Sequence, residues 1–188
     1  MVSLTTPICD FGAQAPNFKL LGVDGKEYSL ADCAGDKGLV VVFACNHCPY
    51  VKAIQPRLVR DANALRAHGI NMVMISSNDA EQFPDDSYEN MQITATEQHY
   101  PFPYLYDPTQ EVAQAFGAIC TPDFFGYNKE LSLQYRGRLD ASRKETAPED
   151  TPRELYEAMV QVAQTGKGPE QQTASMGCSI KWLSTFTP

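Results

Sequence analysis

Gly38-Leu39-Val40-Val41-Val42-Phe43-Ala44-Cys45-Asn46-His47-Cys48-Pro49 is the stretch on which the fold turns. Its first seven residues are almost wholly apolar and rich in valine, the pattern of a strand covered on both faces. Pro49 then stands at a plausible first helical position, and Val51, Ile54, Leu58 and Leu65 recur at roughly helical spacing until Gly69 ends the run. The spacing therefore predicts a buried strand up to Ala44, a cysteine pair at its end, and one helix over 51–68.

Outward from this unit the chain alternates. Upstream, 15–21 reads as a short strand, and Asp24-Gly25 turns it into Glu27-Tyr28-Ser29-Leu30 as a small hairpin. Downstream, Ile70 to Ser76 is a second apolar strand, 79–86 a loop, 88–99 a helix, 102–106 a short strand and 109–116 a helix closed by Gly117. Two strands follow, at 124–128 and 133–137, split by a turn at Asn128-Lys129-Glu130. Thr151-Pro152-Arg153-Glu154 combines an N-cap, a first-turn proline and a capping-box glutamate ahead of the stripe Leu155, Met159 and Val162. Beyond Gly166 lies a tail with one apolar cluster, Ile180, Trp182 and Leu183, of which Trp182 is expected to pin it down. Strand–helix–strand followed by helix–strand–strand–helix is an α/β sheet with crossover connections and a terminal hairpin. The cysteine pair falls where a buried strand ends and a helix begins, which is where open α/β sheets place their chemistry.

Composition narrows the function classes. At 188 residues the chain suits one domain, 1–188, with 166–188 as a docked tail. A chain of that size buries roughly 70% of its extended surface and needs no disulfide or metal staple. Net charge is −8, without a Lys/Arg run, which argues against nucleic acid or an anionic membrane as partner. No apolar stretch reaches the ~20 residues of a membrane-spanning helix. No signal peptide is visible at the start, so the cytoplasm is the default expectation.

The cysteines carry the chemistry. Cys9 and Cys33 lack context and read as structural, whereas Cys45 and Cys48 have the C-x-x-C spacing. In a reducing compartment such a pair points to redox chemistry or metal. Cys48, beside Pro49, is expected at a helix N-terminus, where free N–H groups and the helix dipole favour a thiolate. A thiol with pKa ~8.5 is only ~3% ionised at pH 7, and one lowered to ~6.5 is roughly three-quarters thiolate. His47 is read as an exposed electrostatic neighbour of Cys48. His68 and His99 read as helix-end residues, and Arg136 and Arg138 as strand decoration. Metal binding is the competing reading: Cys45, His47 and Cys48 are candidate ligands, with Cys120, Cys178 or His99 as a fourth. No second C-x-x-C or H-x-x-x-H accompanies them, as structural zinc usually requires.

Ala15-Pro16-Asn17-Phe18, Asp24-Gly25-Lys26, Ser29-Leu30-Ala31-Asp32, Val40-Val41-Val42-Phe43 and the cysteine pair resemble the redoxin branch of the thioredoxin-fold superfamily, which holds peroxiredoxins and thiol–disulfide oxidoreductases. Thr121-Pro122 looks like that family's cis-proline, which faces the active cysteine. Tyr135-Arg136-Gly137-Arg138-Leu139-Asp140 and Gly177-Cys178-Ser179-Ile180-Lys181-Trp182 resemble an uncharacterised subgroup of small thioredoxin-like redoxins. The resemblance covers nearly the whole chain. It implies a thioredoxin-like fold: a central mixed sheet with helices on both faces, an N-terminal hairpin extension and a C-terminal tail.

The same resemblance implies site residues. In thioredoxins a proline follows the first, attacking cysteine by eight positions; here Pro56 stands in that relation to Cys48, and Val51 takes the second cysteine's place. Cys48 is thus the implied nucleophile and Cys45 lies upstream of it. Thr121 is expected to hydrogen-bond a bound peptide through its backbone beside Pro122. Cys120 would lie near Cys48. Thiol–disulfide exchange is the leading expectation. Its substrate would be a protein disulfide or a small thiol or peroxide, its electron donor a thiol, and no cofactor is needed. As a peroxiredoxin, the chain matches at Cys48-Pro49 but carries Cys45 and Val41 where that family has Thr or Ser and Pro. Cys45 is the expected partner of Cys48, because a two-residue spacer closes with little entropy loss while Cys178 would be recruited by a tail movement across ~130 residues. Cys120 stands as the alternative should the Cys45 and Cys48 side chains diverge.

Overall fold

The computed structural model describes residues 2–184. In chain order the elements are β1 (Ser3–Thr5), β2 (Lys19–Gly22), β3 (Glu27–Ser29), α1 (Leu30–Cys33), β4 (Gly38–Phe43), α2 (Pro49–Lys52), α3 (Gln55–Arg66) and β5 (Ile70–Ser76). They continue as α4 (Tyr88–Glu97), β6 (Tyr104–Tyr106), α5 (Glu111–Phe116), β7 (Cys120–Thr121), β8 (Asp123–Asn128), β9 (Leu133–Tyr135), α6 (Glu154–Thr165) and β10 (Met176–Ser179).

The main sheet runs β3-β2-β6-β5-β4-β8-β9, with β6, β5 and β4 parallel and the outer pairings antiparallel. β4 is central and all six of its residues are buried. Its side chains alternate between two cores, as a pleated strand requires. Val40 and Val42 meet Leu58 and Leu65 of α3 and Leu155 and Met159 of α6. Leu39, Val41 and Phe43 meet Leu30 of α1 and Phe116 of α5, where Phe43 and Phe116 make an edge contact at 5.4 Å. The valine run is thus read by helices on both sides, and the mixed α/β sheet expected from the sequence is the one observed. The Asp24-Gly25 hairpin becomes β2 and β3, joined to the sheet edge through β6.

Three local expectations are corrected. The single helix over 51–68 is two helices, broken at Ala53-Ile54. Pro56 has no N–H to give to the Lys52 carbonyl, so the chain turns and restarts as α3 with Pro56 in its first turn. Thr151 does not cap α6, which begins at Glu154 without a side-chain cap. The Glu154 carboxylate instead accepts from Arg138, at 2.6 and 2.9 Å, which removes the glutamate a capping box would need. The third concerns the tail. β1, β10 and β7 form a separate antiparallel sheet that no periodicity announced, with Cys178 opposite Thr121 and Gly177 opposite Leu4. Ile180 is buried and Trp182 packs on the second core, so the tail is docked as far as it is described. Residues 185–188 of the expected tail lie outside the described residues.

Gly177 makes the tail sheet sterically feasible. A Cβ there would fall 2.1 Å from the Thr121 carbonyl oxygen and 2.9 Å from the Pro122 nitrogen, both backbone atoms. Only glycine lets β10 lie this close to the Thr121-Pro122 turn.

Candidate active site

β4 ends at Phe43, and the chain runs through Ala44 and Cys45 to Cys48, the residue that precedes α2. The intervening loop is held by one carboxylate. Asp86 is fully buried and accepts from the Asn46 N–H (2.8 Å), the His47 N–H (3.2 Å), His47 Nδ1 (2.6 Å) and Asn78 Nδ2 (2.7 Å). Because a carboxylate only accepts, the Nδ1 proton of His47 points at Asp86. Asn46 is fixed further by its donation to the Asp85 carbonyl and by the Tyr104 hydroxyl that donates to its Oδ1. His47 is stacked on Phe83 at 5.6 Å and largely buried. It is therefore not the exposed neighbour of Cys48 expected from the sequence: Asp86 turns it toward Cys45, whose Sγ is 3.9 Å from Nδ1.

Cys48 is fully buried, and its thiol donates to the Thr121 carbonyl at 3.0 Å. The peptide bond from Thr121 to Pro122 is cis, as the resemblance implied. The Cys45 and Cys48 side chains both reach Thr121, Cys48 at its carbonyl and Cys45 Sγ at its hydroxyl, 3.5 Å away, so they converge rather than diverge. Both cysteines are free thiols. The Cys48 thiol is pushed down to about 5, first by the Cys45 thiol, then, against the cost of burial, by the Thr121 hydroxyl and by the N–H and thiol of Cys178. Hydrogen-bond donors aimed at a sulfur favour its charged form. The Thr121 carbonyl is the opposing contact, since it favours the protonated sulfur. Cys45, which supplies the strongest of these donors, is pushed well above a free thiol by that same bond, by burial and by the nearby Asp86 charge.

The source of this shift differs from the expected one. α2 has four residues, and the Cys48 side chain makes no capping bond to its N–H groups. Neighbouring thiols, a hydroxyl and a β10 amide take the place of the helix terminus.

Cys178 is the residue whose position the sequence reading misjudged. It is a strand residue, buried and already against Cys48, with no tail movement needed. Burial and the Cys48 contact push its thiol up to about 12. Thr121 faces not an open groove but this strand. Cys120 is buried with its thiol donating to the Pro122 carbonyl at 3.6 Å, and burial drives it well above a free thiol. Cys33 and Cys9 are raised by burial to about 12 and about 11.

The other expected participants are occupied elsewhere. Arg136 pairs with buried Asp123 at 3.0 Å and lies over the Phe125 ring at 4.4 Å; Arg138 pairs with Glu154. Both brace the fold. Of the candidate metal ligands, Cys45 and His47 come together with Asp86 in place of Cys48, with ligand atoms within 4.8 Å of one another. Asp86 escaped the sequence reading because an aspartate in a polar loop carries no local signal; only the tertiary fold brings it to Asn46 and His47. Beside the site, a cleft of about 240 Å³ is lined by Tyr50, Ile54, Pro122, Arg138 and Ser175 among others.

A mixed sheet whose central strand delivers one low-pKa thiol to a cis-proline turn, with two further thiols against it, defines a thioredoxin-like redoxin. The chain matches the AhpC/TSA family over residues 11–140 and belongs to that family. It is similar over 98% of both chains to an uncharacterized conserved protein from Geobacillus kaustophilus, with 46% identity and a TM-score of 0.92. A hypothetical protein from Sinorhizobium meliloti shares 36% identity over 96% of this chain and 98% of its own, with a TM-score of 0.90. The thioredoxin domain of a thiol-disulfide oxidoreductase from Bacteroides vulgatus shares the fold at 19% identity and a TM-score of 0.57, over 71% of this chain and 89% of that one. Comparison with curated proteins gives no match.

Proposed function

We propose that the protein is a thiol–disulfide oxidoreductase in which Cys48 is the nucleophile and Cys45 its partner. The observation that carries this reading is the pair of free thiols at the end of β4 that meet at the cis-proline turn, Cys48 at the Thr121 carbonyl and Cys45 at the Thr121 hydroxyl. In keeping with it, Cys48 is lowered to about 5 and Cys45 raised. At neutral pH Cys48 is a thiolate and Cys45 a proton donor. The thiolate attacks a substrate disulfide, forming a mixed disulfide and releasing one thiolate, which takes up a proton. With Cys48 in the mixed disulfide, Cys45 gives its proton to solvent and its thiolate attacks the Cys48 sulfur; the bond from Cys48 to the substrate sulfur breaks and the second substrate thiolate leaves and is protonated. A separate thiol donor then reduces the Cys45–Cys48 disulfide. The substrate is a protein disulfide or a small disulfide approaching from the cleft beside Pro122. Insulin- or glutathione-linked exchange is expected in the wild-type chain and lost in Cys48→Ser; full activity in that variant refutes the reading.

A peroxidase reading is favoured by one observation. The Thr121 hydroxyl lies 3.5 Å from Cys45 Sγ, on the residue whose carbonyl meets Cys48, so a hydroxyl is present at the site although Cys45 holds the position where peroxiredoxins carry one. Oxidation would give a sulfenic acid on Cys48 and water, and a second thiol would condense with it to a disulfide and a second water. Rapid loss of Cys48 thiol to dilute hydrogen peroxide, outpacing its reaction with disulfides and abolished in Cys48→Ser, would place peroxidase first.

A further inference from the structure

The edge of β7 is where an extended peptide would have to pair to reach Cys48, and β10 is already there. The Ile180 N–H donates to the Ile119 carbonyl at 3.2 Å. Cys178 lies directly opposite Thr121 two residues further along the same antiparallel ladder, and the Thr121 carbonyl is the group that accepts from the Cys48 thiol. The strand is held from its other side by β1, where the Ser179 N–H donates to the Val2 carbonyl at 3.0 Å. Ser175 fixes its entry by donating to the Pro122 carbonyl at 2.8 Å. Gly177 removes the one side chain that would keep β10 off the turn. The residue this arrangement presents to Cys48 is a cysteine.

We propose that β10 is the chain's own substrate strand and that Cys178 is a second disulfide partner of Cys48. This rests on the exchange reading above. Cys48 thiolate attacks a low-molecular-weight disulfide RSSR, giving Cys48–S–S–R and RS⁻, which is protonated. Cys178 loses its proton to solvent and attacks the Cys48 sulfur; the bond to R breaks and the second RS⁻ leaves. Two chain thiols are oxidised to one disulfide and RSSR is reduced to two RSH. The step needs no chain movement to find Cys48, because folding of β10 has already closed the intervening loop. It is also self-timed. The Cys48 contact and charge, which help hold the Cys178 thiol up, disappear once Cys48 enters a disulfide, while Lys181 and Lys144 continue to favour its thiolate. The product ties β10 covalently over Thr121, which closes the edge to extended peptides until a thiol reduces it.

The test uses full-length Cys45→Ser, with Cys45→Ala as a second variant, reduced and then treated with glutathione disulfide. Thermal unfolding establishes that each variant is folded, and non-reducing peptide mapping locates the bonds. The expected product is a Cys48–Cys178 disulfide with two thiols lost per chain, and added Cys178→Ser should leave glutathione trapped on Cys48. Chains that stop with glutathione on Cys48 and a free Cys178 thiol overturn this proposal while leaving Cys48 as nucleophile. No glutathione on Cys48 in any variant, and an unreacted Cys48 in the wild type, overturn the exchange reading and this proposal together.

Discussion

Replacing Asp86 by alanine tests whether one buried carboxylate builds the cysteine loop. Four donors converge on it: the Asn46 and His47 backbone amides, His47 Nδ1 and Asn78 Nδ2, at 2.8, 3.2, 2.6 and 2.7 Å. A net loss of about 1 kcal/mol for each gives about 4 kcal/mol, since the donors stay largely shielded from water. For a chain of this size that is a fall of roughly 8–16 °C in the unfolding midpoint. Asp86→Asn discriminates further. Its Oδ1 still accepts from both backbone amides, but its new amide faces the Asn78 Nδ2 donor, so about half the loss is expected. Urea and thermal unfolding of the reduced proteins measure both. Alkylation of Cys48 should also slow in Asp86→Ala, because Cys45 is no longer held against it. An Asp86→Ala chain within about 1 kcal/mol of wild type, or Asp86→Asn as costly as alanine, would refute the reasoning.

Gly177→Ala should lower stability by about 1–3 kcal/mol and expose Cys178 to thiol reagents, because the new Cβ meets the Thr121 carbonyl at 2.1 Å; Cys178 reacting as slowly as in wild type would contradict this. Arg136→Ala should cost about 3–5 kcal/mol at pH 8 by leaving the Asp123 carboxylate buried and unpaired. Burial already raises Asp123 to about 6, with Arg136 opposing, so loss of the arginine raises it further. The folded protein then binds more protons than the unfolded chain from the usual carboxylate range up to that raised value. The deficit should shrink as pH falls from 8 to 5, and an equal deficit at both pH values in urea unfolding would count against the assignment.

How much of this was legible in the sequence depends on whether the signal is local. The run Leu39 to Phe43 announces a strand buried on both faces, because covering by helices leaves no polar side to interrupt it. Ile70 to Ser76 does the same. Cys48-Pro49, Pro56 and Thr121-Pro122 are short motifs, and they placed the nucleophile candidate and the turn facing it. Met176-Gly177-Cys178-Ser179 has neither β-branched residues nor alternation; it is a strand only because Thr121 and Leu4 flank it in space. Asp86 is likewise defined by its partners, and so is His47, which tertiary contacts with Asp86 and Phe83 bury against expectation. The sequence points to a depressed Cys48 thiol through a helix end, whereas that helix is four residues long and the Cys48 side chain makes no bond to it.

The central claim, that Cys48 is a thiolate nucleophile toward disulfides, is tested most directly by the pH dependence of the reaction between the reduced protein and glutathione disulfide. A sulfur titrating at about 5 is about 90% ionised at pH 6, whereas a thiol near 8.5 is ionised there to only ~0.3%. Folding with such a group also makes the unfolded chain bind the extra proton between about pH 5 and the free-thiol range, so stability should rise with pH across that window. The account predicts a second-order rate at pH 6 within about two-fold of that at pH 8, and a fall of at least ~100-fold at pH 6 in Cys48→Ser. A rate that climbs about ten-fold for each pH unit from 6 to 8, or one that Cys48→Ser leaves unchanged, would contradict it.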